Sequence, residues 1–484
     1  MSDGTGPQEG QHAAAKSEDR KLTITLWLVA VAFFMQALDT TIVNTALPAM
    51  ARSLAESPLH MQSVVIAYSL TMALMIPMSG FLADRFGTRS VFFMAIVTFT
   101  VGSLLCANAQ SLWQLVSFRI VQGVGGAMLL PVGRLAVLRT FPRERYLSAL
   151  GFVAVPGLIG PLIGPTLGGW LTDVASWHWI FLINVPVGVV GCVATAVLMA
   201  HEPPRPVDPF DIRGYLLLAL AMVALTLALD GLAELGLQHA TVLVLLIFAM
   251  SCITAYALHA VRANTPLFSP GLFRIQTFRV GLLGNLFSRI GSGAMPYLLP
   301  LLLQVSLGFT PFHAGLMMLP AAAAGMISKT IVIKLITSYG YRPVLLGNTV
   351  LVGLAMASFA LVTAAQPLWL RVGQFAFFGA VNSMQFTAMN TLTLKDLDLT
   401  VASSGNSLFS LTQMLSMSLG VTAAGALLAT FASVGNQTPS GILTTFHAAF
   451  ACVGIITASS AWIFAQLAPE TSGTATQMHD IVKD

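Results

Sequence analysis

Two ionisable residues stand where water is scarce. Asp39 lies inside the apolar run WLVAVAFFMQALDTTIVNTALPAM, and Arg119 lies inside LWQLVSFRIVQGVGG. A carboxylate in such surroundings can take up and release a proton, while a guanidinium stays charged and can tune that exchange. An uncompensated buried charge is costly, so each needs a partner or a hydrated cavity. If both runs cross a membrane, Arg119 is roughly 10 Å below the end of its helix at Leu112, at about 1.5 Å per residue. Asp39 is roughly 22 Å from the start of its run, which leaves about 8 Å of a ~30 Å hydrocarbon core. The two therefore reach similar depths from opposite directions. Asp39 reads as a proton site whose affinity changes as a cavity opens to either side, or as a fixed hydrogen-bonding group between helices. Arg119 either tunes that site or holds helices together.

Three further sets of residues carry chemistry. In GFLADRFGTR, Gly80 to Arg89, Asp84 and Arg85 sit where a helix leaves the membrane and Gly87 makes the turn. A carboxylate and a guanidinium there can bond to neighbouring helix ends and hold two halves of a molecule together. In GLIGPLIGPTLGG, Gly157, Gly160, Pro161, Gly164, Pro165 and Gly168 recur at helical spacing. Gly157, Pro161, Gly164 and Gly168 share one face, which permits close backbone approach to another helix, and the prolines bend it. In the second half, Arg289 falls near the midplane and shares a face with Asn285, Ser288 and Ser292. Lys329 lies nearby with no acid beside it, and Lys334 can snorkel to the inner surface. Asn382 and Gln385 line up with Phe378 and Met389, and Asn406, Ser410 and Gln413 line up with Met417. Polar groups at lipid depth face a cavity or another helix, and amides mixed with Met and aromatic side chains suit adaptable recognition. Cations without acids point toward an anionic substrate or an unseen partner helix.

The elements that position these groups are membrane helices. Only 9% of the 484 residues are charged and 56% are hydrophobic, too little charge to cover a water-soluble globule of this size. Fourteen apolar stretches are expected to span: 24–47, 62–83, 91–107, 112–135, 147–170, 179–199, 215–229, 241–261, 278–303, 313–336, 344–363, 368–394, 404–430 and 446–467. The first is too long for a signal peptide, and Asp39 interrupts it. With the N-terminus inside, fifteen basic residues fall on inner segments against Arg52 alone outside, which places both termini in the cytoplasm. The Pro-rich HEPPRPVDPFD from His201 to Asp211 and the segment 262–270 divide the spans six, two, six. The expected division is a tail at 1–21, a six-helix bundle at 22–200, a linker with two inserted helices at 201–270, a second six-helix bundle at 271–468 and a tail at 469–484. Both tails read as disordered. The only internal echo of the Gly80 loop is Ile333 to Arg342, where the Gly-x-Arg ending survives and Thr337 replaces the aspartate. Cys106, Cys192, Cys252 and Cys452 have no metal-ligand spacing and read as packing. No phosphate-binding Gly-rich loop with Lys-Ser/Thr occurs, and no nucleophile constellation, which argues against ATP drive and against an enzyme. No basic patch clusters for nucleic acid. The expected partners are a small-molecule substrate, protons and the lipid bilayer, with no cofactor, no metal and no obligatory protein partner.

LDTTIVNTALP from Leu38, the Gly80 loop, Arg119 with Gln122 and Gly123, the Gly157 helix and WHWIFLINVPVG from Trp177 together resemble the major facilitator superfamily, most closely its fourteen-span drug:proton antiporter branch. The resemblance runs from about residue 22 to 468. It implies an all-α polytopic membrane protein of the bacterial inner membrane, with two six-helix bundles, two extra central helices and a central cavity. It also implies multidrug-type export driven by the proton gradient. By the same matching, Asp84 and Arg85 take a gating role, Arg119 a proton-coupling role and the glycine helix the antiporter role. The cations of the second half leave open the export of an organic anion or metal chelate. A non-transporting sensor on the same fold is the remaining alternative.

Overall fold

The computed structural model describes residues 6–58, 60–140, 143–199, 209–233, 239–397, 399–434 and 439–468, and every regular element in them is helical. In order these are α1 (Gly6–Ser53), α2 (Gln62–Phe86), α3 (Thr88–Ala107), α4 (Leu112–Thr140), α5 (Arg143–Val174), α6 (Trp179–Leu182), α7 (Asn184–Leu198) and α8 (Ile212–Ala233). There follow α9 (His239–Arg262), α10 (Gln276–Leu301), α11 (Pro311–Tyr339), α12 (Tyr341–Ser358), α13 (Leu368–Leu394), α14 (Leu399–Val434), α15 (Pro439–Ser459) and α16 (Ala461–Phe464). Hydrocarbon offers the backbone no hydrogen-bond partners, so a chain this apolar satisfies its amides within helices. Among the described residues, twelve helices are long and apolar enough to cross a membrane. α5 and α13, 32 and 27 residues long, stand outside that set and pack among the others. In α13 the side chains of Arg371, Gln374, Asn382, Gln385 and Asn390 dilute the hydropathy.

Several expectations change at this level. α1 begins at Gly6, so the backbone is helical through most of the stretch read as a disordered tail; its Ala, Lys, Glu and Gln content favours helix. The tail at 469–484 and most of the Pro-rich linker lie outside the described residues. The sixth stretch holds as one apolar span of 20 residues, Trp179–Leu198, with an interruption inside it. The interruption falls at Ile183 between α6 and α7, which sets Asn184 at the head of α7, two residues before Pro186. Gly87 and Gly340 both take positive φ, 84° and 78°, at the α2–α3 and α11–α12 turns. That backbone is open to glycine at no steric cost, which is why glycine survives in both loops although the aspartate does not.

α1 packs on α5, α3 on α4 and α7, and α2 on α4; in the other half α10 packs on α14 and α13, α11 on α13, and α12 on α15 and α13. The two groups meet where α5 lies on α11 and α2 lies on α14. α8 and α9 form a hairpin against α14. Met222 of α8, with Phe268 and Leu272 of the following segment, joins a buried cluster with Ala73 of α2, Phe278 of α10 and Leu411 of α14. The inserted hairpin thus sits over the α2–α14 junction. Hydrogen bonds between the halves gather at the face opposite the Gly87 turn. Gln304 Nε2 donates to the Thr45 carbonyl at 2.8 Å, the Phe312 amide to Asp173 Oδ2 at 3.0 Å, and Thr166 Oγ1 to the Gly315 carbonyl at 3.1 Å.

Candidate functional site

Asp39 and Arg119 meet. Arg119 Nη1 donates to Asp39 Oδ2 at 2.7 Å, and each residue is only 1% exposed. The depth arithmetic from opposite helix ends therefore places them correctly. The pair belongs to a larger polar cluster drawn from α1, α3, α4 and α7. Gln122 Nε2 donates to Asp39 Oδ1 at 2.9 Å and Asn184 Nδ2 to the same oxygen at 3.2 Å. Both amides also reach Ser103 Oγ, at 2.7 and 3.1 Å. Arg119 Nη1 lies 2.6 Å from Gln122 Oε1, and Nε donates to the Val64 carbonyl at 3.4 Å. The guanidinium lies 4.0 Å from the centre of the Tyr68 ring, a cation–π contact that stabilises a charge without adding an acid. Cys106, read from sequence as packing, touches the same network, with Sγ 3.8 Å from Gln122 Oε1. One buried negative charge and one buried positive charge are held together by directed donors and acceptors, the arrangement a desolvated ion pair requires.

Sequence reasoning singled out Asp39 and Arg119 but not Gln122, Ser103 and Asn184 as site residues. The signal was available. Gln122 stands three residues after Arg119 and so shares its helix face, and Asn184 is a lone amide in the apolar run from Trp179.

The loop motif is assembled differently from the expectation. Asp84 pairs with Arg139 in the last turn of α4, and Arg139 Nη1 also donates to Thr88 Oγ1 at 2.5 Å. Arg89 donates to the Ala196 carbonyl of α7. These contacts tie α2, α3, α4 and α7 to one another within the first half. Arg85 is exposed and lies beside the rings of Phe81 and Phe86, 5.8 Å from each centre, so it does not join the network. Gly80 is exposed, with open space where a Cβ would stand, so only Gly87 has a conformational need for glycine.

α5 has two working faces. Gly157, Gly160, Gly164 and Gly168 all abut α1, and a Cβ on Gly160 would come 2.8 Å from the Leu38 amide nitrogen. Pro161 is turned partly elsewhere. It lines a crevice with Ala321, Lys329 and Asn382 of α11 and α13. Pro165 and Gly169 likewise touch α11, through Gly315 and Pro311. The repeat thus serves two neighbours, with Gly157, Gly160, Gly164 and Gly168 toward α1 and Pro165 and Gly169 toward α11.

In the second half, the structure divides the expected cavity residues. Lys329 and Asn382 come together on the crevice of about 260 Å³ between α5, α11 and α13. Ser292 Oγ donates to Asn382 Oδ1 at 2.7 Å. Arg289 is buried and paired with neutral groups: Nε donates to Asn285 Oδ1 at 2.7 Å and Nη2 to Asn390 Oδ1 at 2.9 Å, and the guanidinium lies 3.6 Å from the centre of the Phe386 ring. Gln413 Nε2 donates to the same Asn390 oxygen at 3.1 Å. Asn285 is wholly buried and also bonds the Gly281 carbonyl and Thr393. Gln385 is a correction. It is buried between α12 and α13, bonded to Asn348 at 2.8 Å and Thr349 at 2.6 Å, so its amide serves a helix-to-helix contact. Asn406 is half-buried on α14, two turns before Gln413.

The family model described as Major Facilitator Superfamily matches residues 29–421. The chain is 50% identical over 453 residues to "Putative multidrug resistance protein MdtD" of Serratia proteamaculans (strain 568), covering 93% of this chain and 94% of that protein. It is 51% identical over 449 residues to the protein of the same name from Escherichia coli (strain K12 / DH10B), covering 92% and 95%. Among solved structures, the nucleoside transporter NupG superposes with a TM-score of 0.65 at 13% identity, covering 91% of this chain and 99% of that one. A D-xylose-proton symporter superposes with a TM-score of 0.65 at 12% identity, covering 91% and 97%. At such identities the structural likeness concerns the fold.

Proposed function

The chain belongs to the major facilitator superfamily, a multi-pass membrane transporter of small molecules and not an enzyme, and from that premise we propose that it is a proton-coupled antiporter exporting its substrates from the cytoplasm. The observation that carries this reading is the buried Asp39–Arg119 pair. With Asp39 ionised, the pair is neutral as a unit. A proton on Asp39 removes the negative charge and leaves Arg119 uncompensated in a dry site, which is costly enough to drive rearrangement or hydration of the cluster. Proton uptake and opening are then two descriptions of one equilibrium. The proton gradient is the energy source, and no cofactor is required.

The relatives named for multidrug resistance support drug-type substrates. Counting α5 and α13 as spans gives fourteen, arranged as bundles at 22–200 and 271–468 with α8 and α9 between them. The basic inner segments place both termini and the Gly87 turn on the cytoplasmic side of a bacterial inner membrane. The face joined by Asp173–Phe312 and Gln304–Thr45 is then the outer one, so this form is closed to the outside.

A decisive assay uses proteoliposomes with an acidic lumen and a pH-sensitive dye. Adding a transported lipophilic dye dissipates the gradient with wild-type protein and not with Asp39→Asn. Equal flux with and without a gradient, or full coupling in Asp39→Asn, overturns the reading. A second reading, export of an organic anion, is favoured by Lys329 and Asn382 on one crevice with Arg289 held by neutral oxygens alone among its described hydrogen bonds. Arg289→Ala then weakens anionic substrates selectively; equal affinities for anions and cations in that variant count against it.

A further inference from the structure

Beside the Asp39 cluster, and outside anything the transport reading uses, a crevice of about 480 Å³ opens between α1, α3, α4 and α7. Its volume is in the range of sites that hold a small molecule. Trp27, Val31 and Val190 stand at its mouth, and Met35, Phe99 and Asn184 at its floor. The mouth residues are exposed, Trp27 at 55% and Val190 at 68%, and they continue into the exposed apolar face of α7 at Val193 and Val197. The floor is buried, Phe99 at 4% and Asn184 at 2%. The crevice therefore runs from the membrane-facing surface inward to a residue that holds Asp39.

Water is a poor occupant. A buried water needs two to four polar partners. Of the polar lining groups, the Thr100 hydroxyl donates to the Ile96 carbonyl at 2.7 Å, and Asn184 Nδ2 already donates to Asp39 and Ser103, which leaves a water little beyond the single Asn184 Oδ1 acceptor. An empty apolar space would forfeit dispersion contacts on every wall. Trp27, Val31 and Val190 lie in stretches long and apolar enough to cross a membrane, so the mouth faces hydrocarbon once the chain is in a bilayer.

We propose that this crevice is a binding site for one acyl chain of a membrane phospholipid, inserted from the bilayer between α1 and α7 until it reaches Asn184. The chain excludes water from the lipid side of the Asp39 cluster, so that protons reach Asp39 only through the transport pathway. The site itself rests on the membrane placement of the helices, and its sealing role rests on the proposed proton coupling.

The test uses the full chain in nanodiscs of phosphatidylethanolamine and phosphatidylglycerol doped with a phospholipid bearing a diazirine at its acyl terminus. After illumination, labelled peptides are mapped by mass spectrometry. Label concentrates on residues 31–35, 96–99 and 184–191. Two variants fill the space from different helices. A Cβ on Gly191 would meet only Ile96 side-chain atoms, the nearer at 3.6 Å, so Gly191→Phe is accommodated by the backbone, and Val31→Trp plugs the exposed rim. Each lowers crevice labelling roughly tenfold while labelling at exposed Trp369 stays unchanged. Should Gly191→Phe fail to fold, Val31→Trp decides. Label spread evenly over exposed helix faces and insensitive to both variants identifies ordinary surrounding lipid and overturns the proposal. Displacement of the label by tetraphenylphosphonium also overturns it, by assigning the crevice to substrate.

Discussion

Asp39 accepts from three different side chains at once, and that geometry makes its neighbours as consequential as the acid itself. Arg119→Ala leaves a carboxylate buried among amides and should cost about 3–5 kcal/mol of stability. Replacing both partners, as Asp39→Asn with Arg119→Gln, should recover part of that loss, since no charge is then stranded. Thermal unfolding of the purified variants as a double-mutant cycle checks this, and additive losses would mean the pair is not coupled. Gln122→Leu removes a donor to Asp39 and an acceptor for Arg119, and a loss of about 1–3 kcal/mol in the same measurement is expected. The acid and its arginine were legible in the sequence because charges are rare in apolar runs and helix rise converts residue number to depth. Gln385 was misread because periodicity says that a polar side chain has a preferred side, not whether a cavity or another helix lies there. Asn348 and Thr349, 37 and 36 residues earlier in another helix, decide the matter.

At the scale of elements, α5 and the α8–α9 hairpin carry separate expectations. Gly164 faces the Thr41 side chain of α1, so Gly164→Leu forces the helices apart and should cost about 1–3 kcal/mol and most of the transport. Gly80→Ala, in open space, should leave both unchanged; flux assays with melting curves distinguish the two. The hairpin is tied at its base by Asp211, which accepts from His259 Nε2 at 2.7 Å, the Gly214 amide at 2.9 Å and the Leu267 amide at 3.1 Å. Burial alone would raise the Asp211 pKa, but the Gly214 amide, His259 and the Leu267 amide outweigh it and hold it below the ordinary carboxylate value. A depressed folded-state pKa means stability present above the unfolded value, about 3.9, and lost as pH falls through the lower folded value. Asp211→Asn should therefore lower the melting temperature at neutral pH, with the gap closing under acid; a gap that persists at low pH would locate the effect elsewhere. The glycine spacing announced close packing of α5. It did not separate the residues that meet α1 from Pro165 and Gly169, which meet α11, because small residues recur every three or four positions and only the placement of the neighbours tells them apart.

For the whole molecule, the three hydrogen bonds at the face opposite the Gly87 turn bear on the balance between forms. Asp173→Ala combined with Thr166→Val removes two of them, each worth about 0.5–1.5 kcal/mol. The ratio of closed to open forms should fall by roughly tenfold for each 1.4 kcal/mol lost. Spin labels at Gln110 and Ala365 should then show a second, longer distance; an unchanged distribution would mean that apolar packing alone holds that face. The six-two-six layout could be proposed from hydropathy and proline-rich joints, whereas the seating of the hairpin over α2 and α14 could not, since Met222, Phe268 and Leu411 are ordinary apolar residues until the fold brings them together. α5 has a further consequence. Its glycines mesh with α1 at backbone distance, while its opposite side touches α11 through Pro165 and Gly169 and leaves a crevice at Pro161. Both flanks close at backbone distance, a Cβ on Gly168 meeting the Ile42 carbonyl and one on Gly169 the Pro311 carbonyl, so a methyl group added on either side wedges α5 off a different neighbour.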